Sequence, residues 1–137
     1  MNIAYENDDL RIIDENPLRS LYRNIYSGEN VDENRIVDLV FCNNETIRRL
    51  NGDYRKKDSV TDVLSFCFDD LDYLGEIYIC VPQAKEQSKE YGLTLDEEVQ
   101  RLFVHGLFHI LGFDHESEDE RLVMEKHEKK YIDFEKE

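Results

Sequence analysis

The sequence predicts an α+β fold, a single domain over residues 1–137 in which a small three-to-four-stranded mixed sheet packs with about five helices. Three observations carry that expectation. Two β-branched runs, Val60–Phe68 and Leu74–Val81, are separated by a short acidic turn and read as an antiparallel hairpin. Several segments of helical periodicity carry their own start and stop signals, and they do not alternate strictly with strands. A chain of 137 residues supports one core, and its 15 aromatics and two prolines argue against disorder despite 36 % charged residues.

In order along the chain, Met1–Tyr5 can start a strand. Asn16-Pro17 fits a helix N-cap followed by proline, with Leu18, Leu21, Tyr22 and Ile25 at helical spacing and Gly28 with Asn30 closing the segment. Ile36–Cys42 (IVDLVFC) is a strand. Asn43 or Asn44 caps a short helix through Leu50, ended by Asn51-Gly52. The hairpin strands follow. Pro82 starts a helix that Gly92 stops, and Thr94-x-x-Glu97 is a capping box for a long helix carrying Val99, Leu102, Phe103, Leu107 and Ile110. Ser117-x-x-Glu120 repeats the signature before a last helix with Leu122, Val123 and Tyr131.

Cys42, Cys67 and Cys80 are odd in number, widely spaced and set in apolar runs, so they read as three reduced core thiols. With an acidic Met1–Leu10 that lacks a signal-peptide pattern, and no apolar stretch long enough to span a bilayer, the expected location is the cytoplasm, without membrane contact.

The formal charge is −15, which excludes a general polycation that grips nucleic acid by bulk charge. Resolved by segment, the picture changes. Residues 48–57 (RRLNGDYRKK) hold five positive side chains and one negative, a lone basic island of net +4 in an acidic chain. A nucleic-acid backbone, were one bound, would then be held at one basic groove only, weakly and with salt sensitivity.

Three of four histidines lie within eleven residues, His105-Gly-Leu-Phe-His109-Ile-Leu-Gly112-Phe-Asp-His115. His105 and His109 are four apart on one helix face, where two imidazoles can share a metal ion. Gly112 can end the helix in a left-handed conformation, letting His115 return as a third ligand. Three protein nitrogens leave one tetrahedral position open, the arrangement of a catalytic zinc. The same spacing occurs in metzincin proteases, but those need a glutamate directly after the first histidine, and here that position is Gly106. Peptidase chemistry is therefore disfavoured. His127, beside Lys126 and Glu128, reads as an exposed or half-buried helix residue.

HGLFHILGFDH resembles the signature of the YbeY family of bacterial rRNA maturation factors, single-strand-specific metallo-endoribonucleases. A second block is similar to the family's central stretch: Leu50-Asn51, Tyr54-Arg55, Asp58, and Thr61 through Phe66, continued by Leu74-Gly75-Glu76-Ile77. The resemblance implies one zinc ion per chain held by His105, His109 and His115, and Arg55 as the catalytic arginine near the cleft. It further implies maturation of the 3′ end of 16S rRNA and a part in ribosome quality control. Implied partners are single-stranded rRNA, the small ribosomal subunit and its assembly proteins, and an assembly GTPase, with the chain itself a monomer.

Arg55 offers a fork of donors matched to a phosphate. Arg48, Arg49, Lys56 and Lys57 are candidates for tracking the adjacent RNA backbone, with Tyr54 as a stacking face for an unpaired base. Candidates for orienting a ligand or acting as the base are Asp114, next to a histidine; Glu76, whose strand parity sets it opposite Ile77 and Ile79 and toward the cleft; and Asp62, which with Asp58 could instead orient Arg55. The RNA 2′-hydroxyl is an alternative nucleophile to water. From a different class stands the alternative of a zinc-containing ribosome-assembly binding factor without nuclease activity.

Overall fold

The computed structural model describes residues 1–132. Strands β1 (Asn2–Tyr5), β2 (Ile36–Cys42), β3 (Val63–Cys67) and β4 (Tyr73–Cys80) form one sheet in the order β1-β2-β4-β3. β1 and β4 run parallel to β2, whereas β3 returns antiparallel to β4 as the expected hairpin and leaves β3 at the sheet edge. Five helices surround it: α1 (Glu15–Gly28), α2 (Asn44–Arg55), α3 (Val81–Tyr91), α4 (Leu95–Ile110) and α5 (Glu118–Glu128). None of the described helices is long and apolar enough to cross a membrane.

Strand alternation divides the core. Leu39 and Phe41 of β2 and Ile77 and Ile79 of β4 bury against α1 and α4, where Leu18, Ile25, Leu102, Phe103, Leu107 and Phe108 complete the main cluster. The opposite face is covered in part by α2, through Ile47 and Leu50 against Leu64, Phe66, Tyr78, Cys42 and Cys80. Which face a side chain takes thus decides which helix it meets.

Two close approaches fix α4 on the sheet. A Cβ at Gly106 would lie 3.0 Å from both Ile77 Cγ2 and Ser65 Oγ, and Ser65 Oγ donates to the Gly106 carbonyl at 2.9 Å. Position 106 therefore faces the sheet, with no room for a glutamate. At Gly75, an added methyl would land on the Phe66 carbonyl oxygen and press on Ile110. Gly75→Ala should therefore lower stability by about 2 kcal/mol. A urea titration would register this as a lower midpoint at constant slope, and an unchanged midpoint would show that the strand pair yields freely.

Several boundaries differ from expectation, each for a local reason. α1 starts earlier because Asp14, not Asn16, caps it, with Asp14 Oδ1 accepting the Asn16 N–H at 3.0 Å. Pro17 then sits in the first turn, where its missing N–H costs nothing. α2 runs past Asn51-Gly52 to Arg55, and Lys56 ends it at φ 60°. Asn51 is buried; its amide donates to the Ser59 carbonyl at 3.0 Å and its own carbonyl accepts from Lys56 and Lys57, so it anchors the following loop instead of stopping the helix. β3 is shorter than the run Val60–Phe68: Asp62 Oδ1 takes the Val63 N–H at 2.8 Å and Asp69 turns at φ 50°.

In α5, Ser117 caps through the Glu120 N–H at 3.1 Å, but Met124 faces the core while Leu122 and Val123 are exposed. Tyr131 lies beyond the helix and donates to Glu29 Oε2 at 2.7 Å. The cysteines also divide. Cys42 and Cys80 are buried, and burial pushes their thiols up to about 12 and about 11. Cys67 is exposed rather than a core thiol, because it ends an edge strand.

Candidate metal centre beside two cavities

The capping box that opens α4 is formed, with Thr94 Oγ1 accepting from Glu97 N at 3.1 Å and Glu97 Oε1 from Thr94 N at 2.9 Å. It sets the helical phase that carries His105 and His109 on one face. α4 ends at Ile110, Gly112 takes φ 104°, and the reversal returns His115 to the pair. One ring nitrogen from each of His105, His109 and His115 lies within 4.8 Å of the other two.

Hydrogen bonding assigns the tautomers. His109 Nδ1 lies 3.1 Å from the Phe113 carbonyl oxygen, and His105 Nδ1 lies 3.0 Å from Glu128 Oε2 on α5. A carbonyl and a carboxylate only accept, so both Nδ1 atoms carry the proton and donate. In the neutral rings both Nε2 atoms are then lone-pair donors, and they face each other 3.2 Å apart. Two nitrogens bound at 2.0–2.1 Å to a tetrahedral ion would be about 3.3 Å apart. Burial, and then the neighbouring His105 and His115, lower the pKa of His109, which favours the neutral ligand form. The donor set therefore fits a divalent metal.

Glu128 has no counterpart among the expected site residues. It reaches His105 from another helix, 23 positions away in sequence, with only 16 % of its side chain exposed. A carboxylate on the far ring nitrogen fixes the imidazole and raises its basicity. Glu128→Ala should weaken divalent-metal binding roughly 10–100-fold in chelator competition. Glu128→Gln should fall between, because its amide oxygen still accepts the N–H. Equal affinity in all three proteins would reduce the contact to a surface ion pair.

The triad opens into a cavity of about 350 Å³ whose lining includes Arg55, Thr61, Asp62, Ser65, Arg101 and the three histidines. Arg55 is exposed and makes no hydrogen bond or ion pair among the described residues. Arg101, another cation at this cavity, is not among the expected site residues, although it stands four residues before His105 on the same helix face. It is locked to the fully buried Glu98 by two bonds of 2.7 and 2.8 Å, and Gln87 bridges Glu98 and Asp62 at 2.6 and 3.2 Å.

A second cavity, about 420 Å³, shares Arg55 and Ser65 with the first and is otherwise lined by Leu50, Tyr54, Phe66, Cys67, Phe68, Glu76 and Tyr78. Glu76 belongs here and not at the triad. Its parity against Ile77 and Ile79 is as expected, but those two face α4 and the histidines, so Glu76 projects from the opposite face of the sheet. Asp58 does not orient Arg55; it pairs with Arg48 at 2.7 and 3.2 Å. Asp62 lies in the triad cavity but is bonded to Val63 N and Gln87 rather than to Arg55. Asp114 Oδ1 accepts the His115 N–H at 2.7 Å, which makes it a turn residue beside the ligands. Arg48, Arg49, Lys56 and Lys57 are exposed along α2 and the turn after it, and line neither cavity. His127 is half-buried, held to Glu29 at 2.9 Å.

A mixed four-stranded sheet carrying a three-histidine centre on one helix and its exit turn, with an arginine in the lining of its cavity, is the frame of a small α+β protein whose triad could hold a metal ion. Comparison with known proteins gives its family. The family model described as Endoribonuclease YbeY matches residues 2–135, and the chain belongs to that family of nucleases. An Endoribonuclease YbeY of Finegoldia magna is 41 % identical over 136 residues, covering 94 % of this chain and 89 % of that protein. One from Geobacillus thermodenitrificans is 44 % identical over 120 residues, covering 78 % and 77 %. A Thermotoga maritima protein of known solution structure superposes with a TM-score of 0.68 at 29 % identity, covering 95 % of this chain and 85 % of that one.

Proposed function

We propose that this protein is a zinc-dependent, single-strand-specific endoribonuclease that matures the 3′ end of 16S rRNA and serves ribosome quality control. The observation that carries the reading is the convergence of three histidine nitrogens at a cavity lined also by an arginine that has no partner among the described residues. His105, His109 and His115 hold one zinc ion, with imidazole ligation shared by nickel, cobalt and copper as the competing metals. Zinc there supplies Lewis acidity toward a phosphate oxygen.

Arg55 binds the same phosphate through its forked donors, strongest where negative charge grows during cleavage. Arg101, pinned by Glu98, holds positive charge at another wall of the cavity. Arg48, Arg49, Lys56 and Lys57 steer the neighbouring backbone toward Arg55, and the acidic remainder of the surface repels RNA elsewhere. With so little basic surface, delivery by the small ribosomal subunit, its assembly proteins and an assembly GTPase in the cytoplasm supplies the targeting.

The test is cleavage of unpaired and duplex RNA by zinc-loaded and chelated protein, with analysis of the product ends. Metal-dependent cutting of the unpaired RNA alone supports the proposal. A 2′,3′-cyclic phosphate marks attack by the RNA 2′-hydroxyl, and a 5′-phosphate with a free 3′-hydroxyl marks attack by water. Tight zinc binding without cleavage of any RNA would favour an assembly-binding factor instead.

A further inference from the structure

We propose that the second cavity is a base-recognition subsite, taking an unpaired guanine of the RNA strand held at the metal centre, with Glu76 reading its Watson–Crick edge. The inference rests on the RNA-cleaving reading above and names what that site selects.

The two cavities meet at Arg55 and Ser65, across edge strand β3. A phosphate bound by Arg55 in the first places a neighbouring base at the mouth of the second. That second cavity is built for a flat ring. Tyr54 meets Phe66 edge-on at 5.2 Å, and Phe66 meets Tyr78 edge-on at 5.8 Å, so the rings stand at steep angles along its wall. Tyr54 is 68 % exposed and offers a stacking surface at the rim. Stacking on such rings contributes about 1–3 kcal/mol per base and accepts any base. Bases stacked within an A-form duplex cannot enter, which gives single-strand preference a physical source.

Glu76 supplies the discrimination. Among the described residues it is the only acidic side chain lining this cavity, half-buried, and the Tyr78 hydroxyl donates to its Oε2 at 3.3 Å. A carboxylate repels phosphate and only accepts hydrogen bonds, so it selects a base that presents donors. Guanine alone sets two adjacent donors, N1–H and the 2-amino group, on its Watson–Crick edge. Adenine and cytosine each pair one donor with an acceptor, and uracil flanks one donor with two acceptors. Arg55 and Glu76 thus divide the nucleotide, phosphate to the cation and base to the anion.

Fluorescence anisotropy of labelled, unpaired oligoribonucleotides, identical but for one guanine changed to inosine or adenine, measures this directly on the unmodified zinc-loaded protein. Guanine should bind roughly tenfold more tightly than adenine. Inosine, which lacks the 2-amino group, should fall between. Glu76→Gln turns one acceptor into a donor and should shift the preference toward adenine. Equal binding of the three oligonucleotides, or a guanine preference that survives Glu76→Gln, overturns the subsite. The same oligonucleotides in the cleavage assay separate the two proposals. Cutting without base preference keeps the nuclease and rejects the subsite, whereas guanine-selective binding without cutting keeps the subsite and rejects the nuclease.

Discussion

His109→Ala should abolish metal binding and cut RNA cleavage by at least about 10³-fold, the loss of several kcal/mol of transition-state stabilisation. His109 packs against both other rings, with centroids 4.7 Å from His105 and 4.8 Å from His115, and its Nε2 is the atom that meets His105 Nε2. Truncation leaves two protein ligands in place of three, His105 and His115, whose rings stack at 5.5 Å. The fold should survive, because His109 is only half-buried and gives up one bond, to the Phe113 carbonyl, at a cost of about 1 kcal/mol. Thermal melts give a readout independent of activity. Zinc at 1,000 times its dissociation constant stabilises a binding-competent native state by about 4 kcal/mol. The melting temperature of the unaltered protein should therefore rise with zinc and that of the variant should not. A variant that kept metal-dependent cleavage would remove the triad from the mechanism.

Arg55→Ala should lower kcat by about 10²–10³-fold while zinc affinity stays constant, the effect of deleting one donor at developing charge. The arginine makes no bond among the described residues, so stability should change by less than about 0.5 kcal/mol. Arg55→Lys should recover little, since an ammonium cannot match two phosphate oxygens at once. Loss of zinc together with activity would instead give Arg55 a structural role at the metal centre.

These two expectations draw on different levels of legibility. The histidines could be read because helical phase is local: a capping box fixes where α4 starts, four residues make one face, and a glycine permits the reversal to His115. Arg101 was within reach of that reasoning, being one turn earlier on the same face. The end of α2 was not. Asn51-Gly52 is a stop signal in isolation, and burial of Asn51 against the Ser59 loop overrides it, carrying Arg55 one turn farther as a helical residue. Glu76 shows the limit of period-two reasoning. Alternation correctly opposes it to Ile77 and Ile79, but only the docking of α4 says which face holds the histidines.

The −15 charge and its basic island, the three-histidine spacing, the β2 strand and the capped α4 helix are set by residues close in sequence, so the sequence by itself determined them. Tertiary structure alone decided that Glu128 of α5 orients His105, that Arg55 stands where two cavities meet, and that Glu76 looks into the aromatic one. Hydrogen bonds and cavities depend on which surfaces pack together, and that choice belongs to the core as a whole. The close contact of Gly106 with Ser65 and Ile77 is where it is made, because it seats the histidine helix against β3 and β4.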